Sequence, residues 1–398
     1  MPLSPIQAVD EPQAAALERP QLRLPFDPAM LAAVVGLGIC SVLTLRSATR
    51  NLIPADPHYY VNRQIEYLSL GFLLMLGLSR INYSILRRYK NAIYGLLLLS
   101  ILAVIGLGRS ANGSVRAISL PLISFQASEI GKVLLIVSLS AFIVERSRAL
   151  RDRQTVVRVM LAALVPALLV IAEPDLGSGL VYMVVAFTLL FVAGATWRHL
   201  SALVALVIVA AVFVLVAAPA VGIHPLKQYQ VERLTAFLHP SNNPQHKSSY
   251  QLLESKIAIG AGQKTGAANP GQTTLSFVPE DHTDFIFAAV GEQYGFLGAS
   301  LVLLLYGLLI SRALRVLVMA KDLFGSLVAA GVAGMLMFQV FVNVGMTIGI
   351  MPITGVTLPL MSYGGSSVIT TFLAVGLLQS IYVQGRASAA LKDRVLRS

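Results

Sequence analysis

The chain has 398 residues, of which 56% are hydrophobic and only 12% charged, with a mean hydropathy of +0.74. That composition excludes a soluble domain, whose surface must be wetted, and apolar runs that are continuous rather than alternating exclude a transmembrane barrel. The formal charge of +11 gathers in the short connections between apolar runs, as a membrane-orientation signal does, and this argues against a nucleic-acid partner.

Residues 1–28 are Pro-rich, polar and mixed in charge, without the apolar core of a cleavable signal peptide. They are expected to be a disordered cytoplasmic tail, with the first apolar stretch serving as an uncleaved insertion signal. Ten stretches are predicted to cross a membrane as helices: 29–45, 64–79, 91–108, 126–144, 156–172, 176–195, 200–221, 285–310, 325–346 and 363–383. The fold class is therefore an all-α polytopic membrane protein, with residues 29–385 as its transmembrane domain. Arg80, Arg87, Arg88 and Lys90, then Arg146, Arg148, Arg151, Arg153 and Arg158, then Arg312, Arg315 and Lys321 fall on one side of that pattern. Residues 386–398 form a basic tail on the same side, so both termini are expected in the cytoplasm. Cys40, the single cysteine, lies in the first stretch and is read as packing. No internal repeat is visible, so the inverted-repeat signature of many transporters is missing.

Glu129 and Lys132 lie three apart in the fourth stretch, on one helical face with the acid first. A lone charge at mid-bilayer costs about 2.5–3.5 kcal/mol, so the two are expected to pair or to face a polar cavity. A salt bridge that only pins helices explains the spacing equally well. Glu173 and Asp175 flank Pro174 at the outer end of the fifth stretch. Asp175 is placed either to cap the next helix or, with Glu173, to contact a cation or basic ligand.

Residues 222–284 form one long outer segment with five prolines and a Gly-rich stretch, and a loop of that length is usually functional. Within it Tyr250–Ile259 is predicted to be a short helix along the membrane surface, ended by Gly260 and Gly262. Arg233 and Lys256 are its candidate phosphate ligands, while Lys247 and Lys264 read as solvated charge. At its end stand Glu280, Asp281, His282 and Asp284. Partial burial beside other acids makes Asp284 a candidate general base, and helix capping is the competing role. Hard cations such as magnesium or manganese favour carboxylate oxygens, but the spacing matches no fixed metal motif. Glu292 is a further acid within the eighth stretch, and Gln339 and Asn343 share a face suited to hydrogen bonds between helices. The stretch from Gly349 to Ser367 is uncharged yet broken by Pro352, Pro359 and paired glycines. A re-entrant segment lining a cavity is expected there, with an exposed hairpin as the alternative.

Glu173–Gly177, Tyr250–Gly262, Phe277–Phe287 and Phe341–Ser367 together resemble the SEDS family, the RodA- and FtsW-type glycosyltransferases of bacterial cell-wall synthesis. Most specific are Pro279-Glu280-Asp281-His282-Thr283-Asp284-Phe285-Ile286-Phe287 and Pro359-Leu360-Met361-Ser362-Tyr363-Gly364-Gly365-Ser366, while Ser255–Gly260 is nearer the RodA branch, which serves elongation. The chain departs from the family at Ala117 (usually Trp), Ala127 (Pro), Glu173 (Gln) and Gln293 (a second acid). The resemblance implies an enzyme of the inner membrane whose outward-facing site polymerises lipid II into glycan strands, with inversion and release of polyprenyl diphosphate. It implies Asp284 as the base and substrate contacts from Glu129, Lys132, Asp175, Arg233, Lys256, Glu280, His282, Ser362, Gly364 and Ser366. It also implies a class B penicillin-binding protein as partner, besides the nascent glycan and membrane lipids. A flippase for a lipid-linked precursor is the alternative activity, and a scaffold without activity is a third.

Overall fold

The computed structural model describes residues 26–49, 56–107, 110–111, 114–115, 118–119, 124–149, 152–173, 175–213, 247–267 and 283–397, with positions 233 and 237. The residues before 26, most of the outer loop, and the Arg116–Ala117, Glu280 and His282 positions lie outside this description. Among the described residues twelve α-helices follow in chain order: α1 (Pro28–Ala48), α2 (Tyr59–Arg80), α3 (Ser84–Arg88), α4 (Lys90–Leu107), α5 (Ala127–Glu145) and α6 (Arg153–Ala172). The second half contains α7 (Leu176–Val192), α8 (Trp197–Val212), α9 (Lys247–Ala261), α10 (Ile286–Met319), α11 (Leu323–Ile348) and α12 (Gly365–Arg397). Between α4 and α5 lie two small antiparallel pairs, Ser110–Ala111 with Ser114–Val115 and Ile118–Ser119 with Ser124–Phe125.

Where the ten predicted stretches fall on described residues they coincide with helices, while 214–221 of the seventh lies outside the described residues. Among the described residues seven helices, namely α1, α4, α5, α6, α10, α11 and α12, are long and apolar enough to cross a membrane; α7 and α8 are apolar but shorter. The protein is a multi-pass α-helical membrane protein. At its centre α5 and α11 pack on each other, and both pack on α7 and on α12. Burial separates this centre from its periphery: 78% of the apolar window of α5 and of α11 is buried, against 17% for α4. The bare outer faces are apolar, as lipid-facing surfaces must be.

Two helices outrun their predicted ends. α10 continues to Met319 because Arg312 reaches back to Asp27, the residue that caps α1, in a two-pronged ion pair. A charge so answered is no reason for a helix to stop. α12 likewise runs on to Arg397, so the basic stretch expected as a separate tail is the end of a helix.

α10 also contains a break that hydropathy does not show. Gly295 takes φ +61, a left-handed conformation that costs glycine little. The turn after α9 enters the gap: Ala267 N donates to Glu292 O, Phe296 N to Gln263 O and Leu297 N to Lys264 O. A Cβ at Gly295 would meet the backbone of Gly262, Lys264 and Gly266. The short outer helix is therefore spliced into α10. It packs on α10 and α11 through Leu252, Ser255 and Ala258.

Candidate active site

Helix direction alternates along the chain, so the starts of α5, α7, α10 and α12 meet the ends of α6 and α11 at one end of the bundle. Gly349–Gly364, which joins α11 to α12, fills this junction as irregular backbone. Ile353, Val356, Leu358, Leu360, Met361 and Ser362 in it are buried, so the expected re-entrant character holds and the exposed hairpin does not. Its polar backbone is answered by protein, as burial requires. Ser41 donates to Met361 O, Gln64 to Ser362 O and Tyr306 to Pro359 O, while Leu358 N donates to Ser362 Oγ. Leu360 is held at φ +65, a left-handed conformation costing a branched residue of order 1–3 kcal/mol that this pinning must offset.

Asp284 and Arg233 meet over this segment. A Cβ placed on Gly355 would stand 3.2 Å from Arg233 Nη1 and 3.3 Å from Asp284 Oδ2. Gly355 itself has φ +73, so the absence of a side chain there both permits the turn and lets the two groups approach it. Lys256 lies in the same way over Gly349, the left-handed cap that ends α11. There a cation complements the carbonyl end of the helix.

The neighbouring acids are more fully engaged with protein. Asp175 caps α7: Oδ1 accepts from Ser178 N at 3.0 Å, while Oδ2 accepts from Ser128 Oγ at 2.9 Å and Gln126 Nε2 at 3.3 Å. The start of α7 touches the junction directly, since a Cβ on Gly177 would meet Val356 and Thr354 O. Lys132 Nζ donates to Glu129 Oε1 at 2.6 Å, both side chains being almost fully buried. Ser366 donates to Ser124 O and accepts from Gln126 N, tying α12 to the approach to α5. Gly364 accepts Val368 N in the first turn of α12. The structure thus brings Asp284, Arg233, Lys256, Asp175, Ser362, Gly364 and Ser366 to one end of the bundle, with Glu129 and Lys132 in the first turns of α5. Sequence reasoning missed Ser41, Gln64, Ser128 and Tyr306, each a polar group at a helix–helix or helix–segment contact, where such residues act as bonds between apolar surfaces. Among the described residues no group of three or more His, Cys, Asp or Glu is placed to hold a metal.

Glu173, in the turn between α6 and α7, is 3% exposed, and its Oε1 has no hydrogen-bond partner among the described residues. Burial, and then the neighbouring Asp175 carboxylate, push its carboxyl from 4.5 up to about 8, so it carries a proton at neutral pH. Because the folded value lies above the unfolded one, its contribution to stability is complete below about pH 4.5 and is lost as the pH rises through about 8. Thermal unfolding of the detergent-solubilised protein should show this as a midpoint that falls across that window and levels off above it. Glu173→Gln, which keeps the shape and cannot ionise, should remove that part of the slope; an unchanged slope would rule out Glu173 as its source.

The fold and this junction define a multi-pass membrane protein with an acid and an arginine brought together at one end of an apolar bundle. The FtsW/RodA/SpoVE family, described as cell cycle proteins, matches residues 26–387, and the chain belongs to it. It is 38% identical over 373 residues to the probable peptidoglycan glycosyltransferase FtsW of Thioalkalivibrio sulfidiphilus, covering 90% of this chain and 89% of that one. It is 33% identical over 359 residues to the peptidoglycan glycosyltransferase MrdB of Escherichia coli K12, covering 90% and 93%. Both branches of the family appear among its relatives, so identity does not support the lean toward RodA drawn from Ser255–Gly260. Among solved structures, a chain of a peptidoglycan synthase complex that coordinates polymerization and crosslinking superposes with a TM-score of 0.74 at 30% identity, covering 91% of this chain and 99% of that one. The rod shape determining protein RodA of Thermus thermophilus gives 0.65 at 29%, covering 90% and 97%.

Proposed function

We infer that the chain is a peptidoglycan glycosyltransferase that joins the disaccharide units of lipid II into glycan strands and releases polyprenyl diphosphate. The observation that carries this reading is the meeting of Asp284 and Arg233 over Gly355. Asp284 takes the proton of the acceptor sugar's 4-hydroxyl as its oxygen bonds to the donor's anomeric carbon. The anomeric C–O bond to diphosphate breaks on the opposite face, so the configuration inverts and the bonding pair leaves with the diphosphate. A diphosphate leaves as an anion without a general acid, so one base suffices, and Arg233, with Lys256 from the neighbouring helix, offsets the charge that develops on it.

The distribution of cations supports an outward-facing site. Arg80, Arg87, Arg88, Lys90, Arg146, Arg148, Arg315 and Lys321 belong to the opposite end of the bundle, which the positive-inside rule assigns to the cytoplasm together with both termini. A class B penicillin-binding protein is the expected partner, consistent with the likeness to a synthase complex. Purified protein supplied with lipid II in detergent should yield a glycan ladder. Transbilayer movement of lipid II without product would instead make the chain a flippase, and neither activity would leave the scaffold reading. A chelator arm in the same assay decides whether a divalent cation takes part, for which Glu280 and Asp281 would supply carboxylates next to Asp284 in sequence.

A further inference from the structure

α10 begins at Ile286, after an N-cap, Phe285, whose side chain makes no capping bond. The first turn closes on Phe285, whose carbonyl accepts from Ala288 N and Ala289 N. The carbonyls of Thr283 and Asp284 lie ahead of that turn and are half-buried, where side-chain donors are favourable. Two side chains supply them. Ser362 Oγ donates to Thr283 O at 2.6 Å, and Asn343 Nδ2 donates to Asp284 O at 2.9 Å.

Both donors are also tied to the Gly349–Gly364 segment. Asn343 spends its second amide hydrogen on Val356 O at 2.7 Å, and Ser362 Oγ accepts Leu358 N at 2.8 Å. Asn343 is 0% exposed and Ser362 1%. Asn343 thus bridges the backbone of Asp284 to Val356, the residue after Gly355, over which the Asp284 carboxylate and Arg233 meet.

We propose that Asn343 and Ser362 are positioning residues that hold the Asp284 carboxylate at its working point over Gly355 through the backbone rather than by touching substrate. The proposal rests on the reading of Asp284 as the base. It gives Ser362 a different task from the substrate contact implied by resemblance, since its hydroxyl is occupied by Thr283 and Leu358. It also gives a task to the polar amide that Asn343 places in the apolar α11.

The test compares Asn343→Leu, Ser362→Ala and Asp284→Asn in the lipid II polymerisation assay, with rates given per folded molecule by size-exclusion profile. A misplacement of about 1 Å costs about 100-fold in rate, so Asn343→Leu should lower kcat by about 30- to 100-fold and Ser362→Ala by about 10-fold. KM for lipid II should stay within about twofold in both, because neither side chain meets the substrate. A raised KM with kcat preserved would make them substrate contacts and overturn the proposal. So would wild-type kinetics in both, or a loss that only follows the amount of folded protein. If Asn343→Leu does not fold, Ser362→Ala alone decides. Asp284→Asn separates the two levels: normal turnover in it removes the base itself, whereas an inactive Asp284→Asn beside normal Asn343→Leu and Ser362→Ala removes only the positioning role.

Discussion

Replacing Asp284 with asparagine is expected to lower the rate of glycan polymerisation by about 100- to 10,000-fold, the range that general-base assistance supplies. The change removes a single acceptor of protons and keeps the shape of the side chain. Its backbone bond from Asn343 and the neighbouring bond from Ser362 to Thr283 remain available, so the fold should survive. Arg233 stays beside the same point over Gly355, so the affinity for the diphosphate-bearing donor should change little. The expected signature is loss of kcat with KM for lipid II nearly unchanged, measured on purified protein with a thermal-unfolding midpoint within a few degrees of wild type. Polymerisation at the normal rate would show that the proton goes elsewhere. A large rise in KM would instead move Asp284 from the reacting hydroxyl to the binding of substrate.

Lys132→Met should be the most damaging single change to stability. Lys132 is 1% exposed and its ammonium is paired with Glu129 at 2.6 Å. Removing one partner leaves a buried carboxylate unanswered, at a cost of about 3–5 kcal/mol. Replacing both, as Glu129→Gln with Lys132→Met, takes out the uncompensated charge and should restore most of that loss. Steric-trapping measurements in bicelles would give both values. If the double variant were no more stable than Lys132→Met, Glu129 would have found another partner and the pair would not be the unit. The double variant also separates the two readings of the pair: stable and active, it only neutralises charge within α5; stable and inactive, it contacts the substrate.

The sequence shows the crossing helices well because lipid demands length and apolarity together, and both are local properties. Their ends are less legible, since the end of α10 depends on Arg312 finding Asp27 some 285 positions away. The irregular Gly349–Gly364 segment was visible in its prolines and glycines, but not what holds it. Ser41, Gln64 and Tyr306 come from three different helices, and only the packed bundle sets them opposite its carbonyls. Asp284 could be singled out from its acidic neighbourhood and its motif. Its approach to Arg233 could not, because that depends on the bare backbone of Gly355, contributed from some 70 positions further along the chain. Asp175 kept two roles open in the sequence, and the capping bond to Ser178 is the one its geometry fulfils.

The joint where the outer turn enters the interrupted α10 is made of main chain, with Gly262, Gly266 and Gly295 as its close-fitting parts. Such a coupling is indifferent to the chemistry of surrounding side chains and intolerant of any added carbon at those three places. It also couples the two elements directly: a displacement of α9 is carried by main-chain bonds into α10, whose first residue lies two positions beyond Asp284.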